Sequence, residues 1–387
     1  MDEILFEVRK EHLETGLRGI PVGYCTTSSV DAQEGLCYAG RKIEELTKWS
    51  PEQVIYLLYH GKEGTDSAVK LFFSDIKKRA KLLPETVSAI YKLPRKGHPM
   101  QMLAAAVLIL DMEEKQGDYR EDCLHLLAKM PLVVAHVINH HANWKNSPSP
   151  ESNLGYIENF TYMLQVPDAD KKKLQSAFRL FHILHCDHGG GNLSTFVTKA
   201  ISSSLADSYE SVAGGILALS GPRHGKANQD ALFQLKELSQ SVKGKAEESQ
   251  IKNWITKLLE NQGLVYGFGH AVLRKEDPRA TAIYHFLEKE IPDFPLFVLA
   301  KLLRTVVPEI LKTNPKIANP YPNVDAISGV LLAGAGFDYP EYFPLIFALS
   351  RTVGWTRQII YERCEAREGK GTPIVRPKYL YKGPSFS

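Results

Sequence analysis

Apolar positions recur at three- and four-residue steps through most of this chain, the period of a helix that buries one face. Ser50-Pro51-Glu52 opens the first clear case. A serine that can cap is followed by a proline suited to the first helical turn, then by Val54, Ile55, Leu57 and Leu58 along one side. The same grammar predicts helices over Asp66 to Leu82, Pro84 to Leu93, Pro99 to Met112 and Asp168 to about His185. Further helices are expected near 192–205, 208–219, 226–239, 247–261, 278–289, 295–311, 324–333 and 340–364. Two-residue alternation is confined to Pro21–Tyr38, where GYCTTSSVDAQEGLCYAG turns around Asp31 to Gly35 as a small hairpin would. The expected fold class is therefore all-α with a small N-terminal β-hairpin. No repeat with a period of about 20 to 50 residues is present, which argues against a solenoid.

Length refines this picture: 387 residues allow two or three domains at about 100 to 200 each. Lys plus Arg number 47 and Asp plus Glu 44, and a net charge of +3 is too small to make nucleic acid the expected partner. The charged run from Lys236 to Lys252 carries few aromatics and reads as a solvated face. Five scattered cysteines without a Cys-x-x-Cys pair fit free thiols in a reducing compartment, by default the cytoplasm. The N-terminal sequence lacks the apolar run of a signal peptide and the Arg-rich, acid-poor character of a transit peptide. The longest uninterrupted apolar stretch, Met102 to Leu110, has nine residues against roughly 18 for a membrane span, so no membrane partner is expected.

Candidate chemistry gathers at histidines. His182, His185 and His188 follow one another at three-residue steps with Asp187 between them, which raises a metal site. No metal-specific spacing is present, and the expectation is no metal, with a buried pair and a polar pocket as the other readings. Gly189-Gly190-Gly191 and Gly267-x-Gly269 lack the preceding strand of a nucleotide loop and read as turn chemistry. His224 in SGPRHGKAN and His270 in YGFGHAVLRKEDPR sit in glycine-framed loops, where an imidazole is open to a ligand. Asp325 in NVDAISG stands just inside a helix start, either a cap or a desolvated carboxylate.

Taken together, GPRHGKAN, GFGHAVLRKEDPRA and NVDAISGVLL resemble, in this order, the three active-site segments of citrate synthase. GLRGIPVG, HPM at His98, IENFTYML, HCDHGGGNLSTF and IVRPKYLYKG are similar to other segments of that family, so the likeness spans nearly the whole chain. The resemblance implies the citrate synthase fold, with a large domain from residues 1–224 and 336–387 and a small one from 225–335. It implies that acetyl-CoA and oxaloacetate are condensed to citryl-CoA, which is hydrolysed to citrate and CoA without a cofactor. Asp325 would then be the base, neutral His224 the donor to the thioester carbonyl, and His270 the group that polarises the ketone. His188, Arg279, Arg351 and Arg376 would bind oxaloacetate, Arg376 from the partner subunit of a homodimer. Leu264, Gly267, Gly269, Arg274 and Lys275 would meet CoA. Gly189 stands where the family usually has Glu, and Arg223 where it has Leu. A 2-methylcitrate synthase, using propionyl-CoA, is the neighbouring alternative, and an inactive CoA and dicarboxylate sensor a remote one.

Overall fold

The computed structural model describes residues 4–242, 246–315 and 317–383. The ends of the expected large domain, 1–3 and 384–387, and positions 243–245 of the lysine-rich run lie outside the described residues. The hairpin consists of β1 (Ser28–Asp31) and β2 (Gly35–Tyr38), paired antiparallel, with a short β3 (Arg41–Lys42) beside β2. Its turn forms because the Asp31 carboxylate accepts the backbone N–H groups of Gln33 and Glu34 at 2.7 and 2.8 Å. Pro21 to Thr26 stays outside the strands, so the pairing is shorter than the alternation suggested.

Sixteen α-helices follow among the described residues. They are α1 (Ile43–Leu46), α2 (Pro51–His60), α3 (Asp66–Arg79), α4 (Pro84–Ile90), α5 (Pro99–Glu114), α6 (Tyr119–His141), α7 (Tyr156–Met163) and α8 (Lys171–His185). The chain continues through α9 (Leu193–Ser202), α10 (Ser208–Leu219), α11 (Ala227–Ser241), α12 (Glu248–Glu260), α13 (Pro278–Glu290), α14 (Pro295–Leu311), α15 (Asp325–Gly334) and α16 (Phe343–Ile360). Their starts follow the capping signals. Ser50 and Gln53 bond reciprocally at the head of α2, and Asp170 caps α8 through Lys172 and Lys173. That cap starts α8 three residues later than Asp168, which takes a left-handed φ of 51°. The stretch 340–364 is likewise not one helix: a 3-10 turn (Pro340–Tyr342) precedes α16 and a π turn (Tyr361–Glu365) ends it.

The sequence pattern gave no helix over Tyr119–His141, yet α6 is the longest described and lies in the core against α3, α5, α7 and α16. It is buried on every side, so it has no polar stripe to mark a period, and Pro131 sits inside it. By length and composition alone it is long and apolar enough to cross a membrane, which the nine-residue uninterrupted stretch did not indicate. In this fold 89% of its apolar window is buried within the protein, as in the core helix of a globular domain. α16, from the far end of the chain, packs on α2, α6, α8, α9 and α10, while α11 to α15 pack chiefly among themselves. The loops between these two groups converge at the ends of α8, α9 and α15.

Candidate active site

α8 runs out at His185, and the segment behind it is held by the hairpin. The buried Asp187 carboxylate accepts hydrogen bonds from Thr27, from Ser28 Oγ at 2.7 Å and from Gln358 Nε2 at 3.1 Å. Ser28 Oγ also accepts Gly189 N–H at 2.7 Å. These bonds fix the turn that presents His188, whose ring centroid lies 5.6 Å from that of His270. Burial, then the charges of Arg279 and Arg351, hold His188 well below the usual imidazole range, so it is neutral.

His224 is fixed from the opposite side. Asn192 caps α9 by accepting Thr195 N–H, which leaves the first-turn amide of Ser194 pointing outward, and that amide donates to His224 Nε2 at 3.2 Å. Nε2 is therefore an acceptor and the proton of the neutral ring belongs on Nδ1. Ser194 Oγ lies 2.8 Å from the same nitrogen. Burial first, then Arg351, lower the His224 pKa to about 3. His270 has the opposite tautomer: its Nδ1 accepts the N–H groups of Val272 and Leu273 at 3.0 and 2.9 Å, leaving Nε2–H as the donor. Burial and Arg279 bring its pKa to about 4.

A backbone cross-tie joins the loop that carries His270 to the segment that leads into Asp325. Gly267 C=O accepts Asn323 N–H at 2.8 Å, Tyr321 C=O accepts Gly269 N–H at 3.0 Å, and Asn323 Nδ2 donates to Gly269 C=O at 2.8 Å. Asn323 Oδ1 then accepts Asp325 N–H at 2.9 Å, starting α15 at that residue. Gly267 makes the close approach possible: its φ is +80°, and a Cβ there would stand 2.4 Å from Ala326 Cα. Asp325 Oδ1 is buried with no hydrogen-bond partner among the described residues. Burial raises its pKa to about 7, partly opposed by Arg279 and helped by Asp277.

Two guanidinium groups bear on this cluster, Arg279 on His188, His270 and Asp325, and Arg351 on His188, His224 and Asp325. Arg279 is 4% exposed and is braced by Asp277, whose Oδ2 accepts Nη2 at 2.7 Å while its Oδ1 accepts Arg279 N–H and caps α13. Burial lowers the Arg279 pKa, but the Asp277 carboxylate more than offsets it. Arg351 donates from Nε to His185 C=O at 3.0 Å and from Nη1 to Asn192 Oδ1 at 3.2 Å. Its burial brings the pKa down to about 10 in spite of Asp187. Two cations that are held so near one another favour an occupant with two negative charges.

Other expected site residues lie farther out. Leu264, 62% exposed, accepts Gln234 Nε2 through its carbonyl, and Arg274 and Lys275 form an exposed rim beside the hairpin turn, Arg274 N–H donating to Ala32 C=O at 3.0 Å. The Arg274 guanidinium folds back onto the carbonyls of Val272 and Leu273. Arg376 is exposed and remote from the cluster: Val375 N–H donates to Ser203 Oγ at the end of α9, about 13 Å of helix away from Ser194. His182, His185 and Asp187 do not converge on one point. His182 packs beside Tyr156, His185 Nδ1 meets Phe181 C=O at 2.7 Å, and Asp187 is taken up as described. Among the described residues the ligand set close enough to share a cation is Asp111, Asp207 and Glu210, where the Lys115 ammonium already lies 3.4 Å from Asp111 and 3.1 Å from Asp207.

Sequence reasoning did not single out Asn192, Ser194, Asp277 and Asn323, which hold the reactive groups in place. Three of them carried a signal, an Asn or Asp immediately before or within two residues of a helix start.

A family model described as citrate synthase, C-terminal domain, matches residues 16–378. The chain is 36% identical over 390 residues to a probable mitochondrial citrate synthase of Glossina morsitans morsitans, covering 94% of this chain and 82% of that one. It is 34% identical over 399 residues to the mitochondrial citrate synthase of Saccharomyces cerevisiae, covering 97% and 82%. The fold superposes on the crystal structure of citrate synthase from Thermotoga maritima with a TM-score of 0.80 and 29% identity, over 96% of both chains.

Proposed function

The chain belongs to the citrate synthase family and is an acyltransferase, and we propose that it joins acetyl-CoA to oxaloacetate through Asp325, His224 and His270. Asp325 takes a proton from the thioester methyl group, and a pKa of about 7 suits a base working near neutrality. The thioester oxygen gathers negative charge as the enol forms and accepts a hydrogen bond from His224 Nδ1–H. The new carbon–carbon bond forms at the ketone carbon of oxaloacetate, whose oxygen is polarised by His270 Nε2–H and takes that proton, while the proton collected by Asp325 makes good the one His270 gives up. Water then cleaves the citryl thioester, releasing citrate and the CoA thiol. Arg279, Arg351 and His188 bind the two carboxylates. The observation that carries this reading is the pair of opposed tautomers, each fixed by backbone N–H donors, together with a desolvated carboxylate whose segment is tied to the His270 loop. Two neutral imidazole donors and one base are what an enolisation followed by a carbonyl addition needs.

Purified protein given oxaloacetate with acetyl-CoA, chelator present, is expected to release free thiol faster than with propionyl-CoA at the same concentration. Faster release with propionyl-CoA would assign the 2-methylcitrate reaction instead. A folded protein that binds CoA and releases nothing would be a sensor.

The CoA contacts of Leu264, Gly267, Gly269, Arg274 and Lys275 and the division into 1–224 with 336–387 and 225–335 belong to the same proposal. So does a homodimer in which Arg376 completes the partner's site, a reading supported by its exposure and by Leu108 and Met112, exposed one turn apart on α5. Arg376→Ala is then expected to be inactive alone, and mixing it with Asp325→Asn under subunit exchange should restore activity through dimers with one intact site. Demonstrated exchange without recovery would remove Arg376 from the partner's site. A reducing, by default cytoplasmic, location is supported by five unpaired cysteines, and cell fractionation tests it.

A further inference from the structure

We propose that the buried Lys199–Glu362 ion pair is a positioning device that fixes the loop following His188 and the tail carrying Arg376 relative to each other, an inference that rests on the oxaloacetate-binding reading of those two residues. Lys199 lies in the second half of α9, the helix whose first turn holds His224. Its ammonium is 2.9 Å from Glu362 Oε1, with the two side chains 11% and 8% exposed, and it donates to Tyr24 C=O at 3.1 Å.

Two further contacts give the pair its reach. On one side a Cβ at Gly190 would stand 2.9 Å from Lys199 Nζ, so the ammonium lies directly under the backbone two residues beyond His188. Gly190 has no left-handed φ to demand glycine, whereas its neighbour Gly189 does at +72°; the nearest atom to an added carbon at Gly190 is the ammonium itself. On the other side Glu362 holds the start of the tail. Its Oε2 accepts Thr372 Oγ1 at 3.2 Å, its carbonyl accepts Thr372 N–H at 2.9 Å, and Arg363 donates to Thr372 C=O at 2.7 Å. Arg376 follows four residues later.

A buried ion pair contributes little net stability, because two apolar side chains of similar volume fill the same space without the cost of desolvating charges. What apolar replacements would not reproduce is the directed contact: one ammonium under the loop at Gly190 joining Tyr24 of the N-terminal segment to Glu362, and one carboxylate serving Lys199 and Thr372. Neither group touches the imidazoles or Asp325, so both act through the elements they hold.

The test compares Lys199→Met with the double variant Lys199→Met/Glu362→Met. The single variant leaves the Glu362 carboxylate buried without its partner and is expected to lose stability; the double variant removes both charges and is expected to fold and dimerise as the native chain does. In the double variant the oxaloacetate KM is expected to rise about tenfold with kcat changed less than about threefold, the split of a lost binding contact. Trypsin is also expected to cut after Lys378 sooner than in the native chain. A folded double variant with the native KM overturns the proposal. A raised KM with the native rate of cleavage by trypsin overturns its tail half and leaves the loop half. Native protein that releases no thiol would defeat the functional reading itself, while the trypsin comparison would still decide whether the pair anchors the tail.

Discussion

Asp325→Asn is expected to cut turnover about a thousandfold while making the protein melt at a higher temperature. The first effect follows from removing the only group at the site suited to take the proton, since both facing imidazoles are already neutral and are held as donors. The second follows from linkage. Burial raises the Asp325 pKa from 3.8 to about 7, so between those values the unfolded chain ionises and the folded one does not. Stability therefore falls as pH rises through that window, by on the order of 4 kcal/mol in all, and stays lowered above it. The amide keeps the shape without that cost. At pH 8 the variant should melt a few degrees higher, and near pH 3.5 the two proteins should melt alike. In the native enzyme kcat/KM should climb with pH through about 7, as the carboxylate forms. Calorimetry at both pH values with thiol-release rates across the range checks all three outcomes. A variant with native turnover would remove Asp325 from the chemistry, and one less stable at pH 8 would contradict its desolvation.

Gly267→Ala is expected to abolish most activity without unfolding the helices. A non-glycine residue in the left-handed region costs about 1–2 kcal/mol, and the added carbon would lie 2.4 Å from the Ala326 Cα, backbone that cannot turn aside as a side chain can. Relief requires the 267–270 loop to move away from the head of α15, which separates His270 from Asp325. A misplacement of about 1 Å between reacting groups costs on the order of a hundredfold in rate. Gly336→Ala separates the two causes: its φ is +93° but nothing lies within 4 Å of the added carbon. Gly336→Ala should lose some stability and keep its rate, whereas Gly267→Ala should lose its rate with an unchanged helical circular-dichroism signal. Equal activities in the two variants would show that the contact with Ala326 does not set the site.

The residues that do chemistry were more legible in the sequence than those that hold them. His224, His270 and Asp325 sit in loops whose glycines and prolines announce an irregular backbone, and the family likeness gave each a role. Ser194 and Asn323 act through partners 30 and 54 residues away, at His224 and Gly269, and no local pattern reports such a distance. The helices divide in the same way. Those with a solvent face, such as α2 and α8, carry the period and the caps that mark them. α6 was missed because burial on all sides erases the period, and Pro131, a breaker in an exposed helix, is tolerated within it. Arg376 could be read only from resemblance: within one chain it is a lone exposed arginine.

The packing of α16 on α6 has a consequence for how the chain is made. Synthesis starts at the N-terminus, so α6 emerges more than two hundred residues before the helix that covers it. During that interval a segment apolar enough to enter a bilayer must stay in water with its earlier neighbours, chiefly α3, α5, α7 and α10, as cover. Core formation therefore waits for almost the last of the chain to leave the ribosome, while α11 to α15 have the local contacts to fold beforehand. Chains truncated before Phe343 should be bound by chaperones or aggregate.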